Sequence, residues 1–287
     1  MPEGDTLYRV AVNLRKALAG RTVTRFDTSL DLIARIDART PVAGRSVAAV
    51  EAHGKHLMIV FRRQDTIGDA ITVPEFLHLE LYSLDLVLHT HLRMTGSWHI
   101  YRPGEPWQKP AKNAWVVIHT DEFVAPCFTA PVIELLTARE TTRHPQLIDR
   151  GSDIIRDDFD TQSARERLRA RPDMPISVAI LDQRTMAGVG NEFKSEVLFI
   201  RRVNPFALVS DLDDATLDGL VAESHKLLQL NRTTNARQTK FGLDKRERLW
   251  VYGRSGSPCR VCGAIIKMRR QGVHGRSTYY CPTCQNA

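Results

Sequence analysis

Leu7, Val10, Leu14 and Leu18 recur at helical spacing in DTLYRVAVNLRKALAG, with Gly20 as a stop, so the polar–apolar pattern predicts a leading amphipathic helix. From Thr22 to about Thr137 the period changes. Short apolar or alternating runs (TVTRF, SVAAV, HLMIVF, DLVLHTHL, AWVVIHT, EFVAPCF) are separated by turn residues, among them Pro41, Gly44, Gly54, Gly96 and Pro103-Gly104. That texture predicts an antiparallel sandwich or barrel-like sheet. The stretch RRQDTIGDAITVPEFLHLELYS, near residues 62–82, lengthens one hairpin and is expected to protrude, while HTHLRMTGSW reads as a short hairpin.

ARETTRHPQLIDRGSDIIRDDFD is polar, charged and aperiodic, which suits a linker. Helical patterns follow in TQSARERLRARP, PISVAILDQRTM, NEFKSEVLFIRR and DLDDATLDGLVAESHKLLQL, and a basic passage leads to a cysteine-rich tail. The expected organisation is a β-sandwich domain with a leading helix over 1–138, a linker over 139–158, a helical domain over 159–250 and a zinc hairpin over 251–287. No internal repeat or low-complexity tract appears.

The chain has 287 residues, 43% of them hydrophobic, enough for a substantial core. It contains no apolar run long enough for a membrane span, and its start lacks the basic-then-apolar layout of a signal peptide, so a cytoplasmic protein is expected. A formal charge of +7 favours polyanionic partners such as nucleic acid. Cys259, Cys262, Cys281 and Cys284 form C-x2-C-x18-C-x2-C, the spacing of a tetrahedral zinc site. Two disulfides are the alternative, disfavoured without an export signal. Cys127 reads as a buried small apolar residue.

Several residues invite chemistry, each beside a plainer reading. The chain opens MPEGD. Loss of the initiator before a small residue would expose the secondary amine of Pro2, with Glu3 beside it. A terminal amine titrates near pH 8, so part of it is nucleophilic near neutrality and able to form a Schiff base. A helix start explains the same residues. Asn191 follows a glycine-punctuated connector (Ala187 to Gly190), where it suits an N-cap and where free amides could hold a phosphate. Arg276 lies between two glycines and Tyr279-Tyr280, held towards DNA or merely exposed. Lys55 stands at the mouth of a strand, where lysine ordinarily only discourages edge pairing. Met94 is core or a wedge into a base stack. Histidines 89, 91 and 99 raise the question of a metal; mixed strand parity and a lack of clustered carboxylates argue against one.

In order along the chain, PEGD, GKHL, HLRMTGSW, LDQRTMAGVGNEFKSEVLF and LWVYGRSGSPCRVCG…GRSTYYCPTCQ resemble the formamidopyrimidine-DNA glycosylase / endonuclease VIII family. The resemblance covers nearly the whole chain. It implies an α+β multidomain protein: an N-terminal β-sandwich with flanking helices, a helix–two-turns–helix domain and a C-terminal zinc finger, with DNA in the cleft between. It implies that Pro2 attacks the sugar of a damaged nucleotide, that Glu3 supports ring opening and proton transfer, and that Lys55 and Arg276 serve β- and δ-elimination. Asn191 and Arg276 would grip flanking phosphates, and Met94 would fill the gap left by the flipped base. One structural zinc and no organic cofactor are implied. So is action on damaged double-stranded, single-stranded or abasic DNA at a bacterial nucleoid; the sequence offers no ground for an oligomer, so a monomer is expected.

EFVAPCFTAP, where the purine-specific branch carries an Asp-Pro-Arg-Arg-Phe-like turn, and the short passage from Thr233 to Trp250 favour oxidised pyrimidines. Met94 in its HLRM context favours the other branch, an oxidised-purine glycosylase. The insertion near 62–82 and EFK after Asn191 depart from the family pattern, and Lys194 adds a charge near the expected phosphates. A non-catalytic damaged-DNA-binding protein is the competing class.

Overall fold

The computed structural model describes residues 2–65, 67–234, 236–242 and 247–287; the expected loss of Met1 falls outside them. Two compact units are present, Thr6–Asp149 with Pro2, and Arg150–Ala287 with Glu3–Asp5.

The first unit contains α1 (Gly4–Leu18, whose opening residues count with the second unit), β1 (Arg25–Thr28), α2 (Asp31–Arg39), β2 (Ser46–His53), β3 (His56–Arg62), β4 (Ala70–Ile71), β5 (Leu81–Tyr82), β6 (Leu86–His91), β7 (Ser97–Trp98), β8 (Ala114–His119), β9 (Val124–Phe128), β10 (Val132–Thr137), α3 (Ala138–Thr141) and α4 (Pro145–Ile148). Two four-stranded antiparallel sheets, ordered β1-β8-β9-β7 and β10-β6-β3-β2, make a sandwich. Strand alternation decides what each face meets. Leu57, Ile59 and Phe61 of β3 join Leu86 and Leu88 of β6 and Leu7, Leu14 and Leu18 of α1 in the inner core.

The opposite parity, Met58, Val60 and Val87, faces a second cluster with Leu77, Leu79, Leu81, Ala138 and Leu147. The segment expected to protrude instead pairs β4 with β5 and buries its leucines on the outer face of the sheet. Its sequence is polar on average, but the apolar residues sit where one more layer can use them. HTHLRMTGSW is not a hairpin either: β6 and β7 belong to different sheets, so the stretch crosses from one to the other. The helix α2 arises in a region expected to be all strand, because Ile33 and Ile36 pack on the core from a single face.

The second unit contains α5 (Thr161–Arg169), α6 (Ile176–Ala179), α7 (Asn191–Ile200), α8 (Asp214–Asn231) and the hairpin β11 (Lys267–Gln271) with β12 (Arg276–Tyr280). Asp160 and Asp213 cap α5 and α8, accepting the amides of Ser163 and Thr216. The residues expected to be linker are structured: 138–141 and 145–148 are helical, and Ile154 and Ile155 are buried. The helix expected over PISVAILDQRTM stops after Ala179. Asp182 there accepts the backbone amide of Arg184 (3.0 Å), and Gln183 bonds to Leu181, Gly188 and Val189, so local side chains replace the helical ladder.

Buried all round, α7 includes Lys194 and Glu196 among its interior residues. The Glu196 carboxylate accepts the amides of Trp250 (2.7 Å), Val251 (2.8 Å) and Tyr252 (2.7 Å) and the hydroxyl of Thr239. It thereby fixes the chain entering the cysteine module, whose Cys259 and Cys281 pack with Phe199, Val251 and Ile266. Among the described residues, no helix is long and apolar enough to cross a membrane.

Hydrogen bonds to a buried charge contribute about 1.5–3 kcal/mol each, and orphaned donors cost comparably. Glu196→Ala should therefore destabilise the second unit by about 3 kcal/mol or more, with hydrogen-exchange protection at residues 250–252 lost first. Urea unfolding with residue-resolved exchange checks both.

Candidate functional site

Four residues at the start of the chain have four different reasons for their identity. Pro2 is half-buried at the terminus. Glu3, wholly buried, turns its carboxylate onto the first turn of α7: Oε2 accepts the amides of Gly190 (2.9 Å) and Phe193 (3.4 Å), and Oε1 that of Glu192 (2.9 Å). Gly4 donates its amide to the Gly188 carbonyl (2.9 Å), and a Cβ on it would sit 3.0 Å from the Gly188 Cα. Asp5 receives a two-pronged hydrogen bond from Arg237, Nε to Oδ2 at 3.0 Å and Nη2 to Oδ1 at 2.5 Å.

The cap of α7 is thus a side chain from far away in sequence. Asn191 was expected as the N-cap; that position belongs to Gly190, which offers no side chain, and Asn191 is the first helical residue. Glycine is required at 190, since a Cβ there would lie 2.1 Å from the Glu3 Cδ, and Gly188 holds a φ of 112° that L side chains rarely adopt. The amides expected to await a phosphate are taken by Glu3, whose negative charge suits the positive end of the helix.

Asn191 faces the hairpin instead. Its Nδ2 donates to Ser277 Oγ (2.8 Å), and its Oδ1 accepts from Lys194 Nζ (2.8 Å). Lys194, 1% exposed, also donates to the Ser277 carbonyl (2.9 Å) and Thr278 Oγ1 (2.8 Å), using all three ammonium hydrogens. Its charge, placed by the sequence near phosphates, points into the protein and ties α7 to β12. Burial, reinforced by Arg276, brings its pKa down to about 7, while Glu3 works in the opposite direction. Arg276 opens β12 after Gly275 (φ 55°); it is exposed, and its guanidinium makes no hydrogen bond or ion pair among the described residues. Glu3 and the Asn191–Lys194 pair therefore hold α7 from two sides, the pair through the residues that follow Arg276 on β12.

Arg237 is the residue the sequence did not single out. Besides Asp5 it reaches Glu192 Oε2 (3.0 Å) and lies 3.8 Å from Glu3 Oε1, with its guanidinium 4.8 Å from the Phe193 ring centroid. Burial works against its charge, but Glu3, Asp5 and Glu192 outweigh that and raise its pKa. Burial raises the pKa of Glu192, with Arg237 opposing and Glu3 adding to the rise. Nothing local in NRTTNARQTK distinguishes this arginine from its basic neighbours; only the unmatched acids of PEGD hint that a cation must come from elsewhere.

In the first unit, Lys55 follows Gly54 (φ 57°) in the turn between β2 and β3. Leu57 pairs with Thr90 and Val132 with His91, so this turn and the 92–96 crossover occupy the same end of one sheet. Met94 stands on that crossover, 66% exposed, which removes the core reading. His89 and His91 share strand parity after all, and Glu134 lies directly opposite His89. Cys127 is fully buried, as expected.

The four tail cysteines are free of disulfides, with Cys262 and Cys281 sulfurs 3.4 Å apart and Cys259 and Cys284 sulfurs 3.9 Å apart. A tetrahedral zinc with Zn–S bonds of 2.3 Å sets its sulfurs about 3.8 Å apart. The donor set fits one structural zinc. Gln285 reinforces it, accepting from the Cys281 amide and donating to the Val203 carbonyl.

Comparison with known proteins follows this division. Residues 1–131 match the formamidopyrimidine-DNA glycosylase N-terminal domain, 151–241 its H2TH domain, and 256–287 the zinc finger found in FPG and IleRS. The chain is 36% identical to a probable endonuclease 8 2 of Streptomyces coelicolor, covering 99% of this chain and 94% of that one. It is 35% identical, over the full length of both, to the DNA-(apurinic or apyrimidinic site) lyase Nei2 of Mycolicibacterium smegmatis. Among solved structures, the formamidopyrimidine-DNA glycosylase of Lactococcus lactis bound to abasic-site DNA superimposes with a TM-score of 0.75 at 21% identity, covering 99% of this chain and 100% of that one.

A methyl group at 190 must displace the Glu3 carboxylate. Gly190→Ala should lower stability by about 2 kcal/mol, a typical overpacking cost, and thermal unfolding measures it. Lys194 supplies a pH test. Unfolded, it titrates near 10.5, and folded, near 7. Between these values the unfolded chain binds more protons at this site, so the lysine's contribution to stability becomes more favourable as pH rises, by up to about 1.4 kcal/mol per unit. The stability of wild type relative to Lys194→Met, followed by urea unfolding, should climb across that window.

Proposed function

The chain belongs to the formamidopyrimidine-DNA glycosylase / endonuclease VIII family, and from that premise we propose that Pro2 is the nucleophile with which it excises damaged bases. The protein is a base-excision repair enzyme, a DNA glycosylase with abasic-site lyase activity, in keeping with relatives named endonuclease 8 and DNA-(apurinic or apyrimidinic site) lyase. Its partner is damaged DNA, encountered at the chromosome in a bacterial cytoplasm.

The observation that carries the residue assignment is the burial of Glu3 against α7, directly beside Pro2. The secondary amine attacks C1′ of the flipped nucleotide, the glycosidic bond breaks, and the base leaves with the bonding pair. Loss of the amine's one proton and opening of the sugar ring give an iminium, permanently cationic because a secondary amine has no second hydrogen to shed. Glu3, Asp5 and Glu192 set three carboxylates against Arg237, an excess of negative charge beside that cation in the chain. The iminium acidifies the neighbouring sugar hydrogen, and Lys55 is the group assigned to move it. Successive β- and δ-eliminations cut the strand, with Arg276 serving the second. Flipping exposes the sugar, and a damaged base is less costly to unstack.

Asn191, held by Ser277 at the start of α7, is the residue assigned to a flanking phosphate. Arg276 is exposed for the same task, and Met94 for the gap in the stack. Oxidised pyrimidines are the favoured lesion, supported by the endonuclease 8 names of the relatives and by EFVAPCF, whose last five residues form β9 within a sheet. Met94 in HLRM supports oxidised purines as the second reading.

Borohydride should trap a covalent adduct with abasic and dihydrouracil duplexes at higher yield than with 8-oxoguanine. A residue retained ahead of Pro2 should abolish trapping; an undiminished adduct from the blocked protein sinks the nucleophile assignment. Arg276→Ala should weaken binding to all duplexes alike and lower the slope of log affinity against log salt by about 1, measured by fluorescence anisotropy.

A further inference from the structure

The outer face of the sheet β10-β6-β3-β2 carries a second group of metal-ligating side chains, unconnected with the cysteine module. His89 on β6 and Glu134 on β10 are register partners, and the His89 Nδ1 lies 2.8 Å from Glu134 Oε2. The His144 Nε2 lies 3.1 Å from the same oxygen. The three donor atoms fall within 4.8 Å of one another. We propose that His89, Glu134 and His144 form a second metal site, taking a divalent ion of the zinc type with solvent completing its coordination.

Three features support a built site over three neighbouring polar residues. The first is backbone fixation that needs no ion. His89 and Glu134 are set by the strand ladder. His144 is brought back to them by α3, whose capping box pairs Thr137 with Glu140, and by Pro145 at the start of α4. The second is orientation from outside the donor set. His89 Nε2 stands 2.7 Å from His56 Nδ1, and the rings stack with centroids 5.0 Å apart. A metal would replace the Nδ1 proton that the Glu134 carboxylate accepts, while His89 Nε2, turned to His56, is held by a partner beyond the ligands. The third is graded access. The His89 side chain is wholly buried, while those of His144 and Glu134 are 15% and 38% exposed, so an ion can enter from solvent.

Chemistry narrows the ligand. Two imidazoles and a carboxylate suit zinc and its borderline neighbours, and three protein donors leave a fourth position open. Calcium and magnesium, which prefer all-oxygen shells, are excluded. The ion would clip α4 to the sheet and restrain His56, the residue after Lys55.

The full-length protein, with its finger zinc in place, can be equilibrated with excess zinc, gel-filtered and analysed for metal by mass spectrometry. Wild type should carry two ions per chain. Glu134→Gln and His144→Ala, both at partly exposed positions, should carry one while keeping the wild-type near-ultraviolet circular dichroism. Cobalt substitution gives a test that needs no variant: the second equivalent should add visible bands without a new sulfur-to-cobalt charge-transfer band. One ion per wild-type chain, or two ions persisting in both variants, would overturn the proposal.

Discussion

Everything in the second unit rests on one buried carboxylate placed against the open end of a helix. The first turn of α7 has amides with no intrahelical acceptor, and in the interior an unmet donor is costly. Glu3 answers that need from the other end of the sequence. In doing so it forces glycine at 190, draws Gly4 onto Gly188 and leaves Asp5 facing Arg237. The same contact that completes the helix ties the start of the chain to residues 188–193.

The helix so capped is unusual in what it buries. Lys194 and Glu196, two residues apart, carry opposite charges to opposite tasks: the lysine holds Asn191 and the strand bearing Arg276, and the glutamate holds the segment leading to the cysteines. Glu196 is satisfied wholly, and Lys194 mainly, by neighbours in space that lie far off in sequence. A helix with such a core is rigid because each alternative leaves a charge without a partner.

How much of this was legible depended on whether the signal was local. Leu7, Leu14 and Leu18 repeat within one helix, and the strand runs alternate within one strand, so α1 and the sandwich could be read directly. The cysteine spacing is equally local. The failures share one cause. The leucines at 77, 79 and 81 read as part of a protruding hairpin because the layer that receives them, Met58, Val60 and Val87, belongs to other strands. Asn191 looked like a cap because asparagine often is one; the true cap lay 188 residues earlier at Glu3, which no window could contain. The sequence places Lys194 near the start of its helix without saying which way it points, and does not distinguish Arg237, because charge in a sequence has magnitude but no direction.

The membership of Glu3–Asp5 in the C-terminal unit carries a consequence for biosynthesis. A chain leaving the ribosome presents its first residues at once, yet the partners that organise them, residues 188–193 and 237, are made long afterwards. Glu3 must therefore wait for its donors until about two thirds of the chain has been made. A product that ends before residue 188 lacks every amide that Glu3 accepts, so early termination leaves the first residues without their anchor.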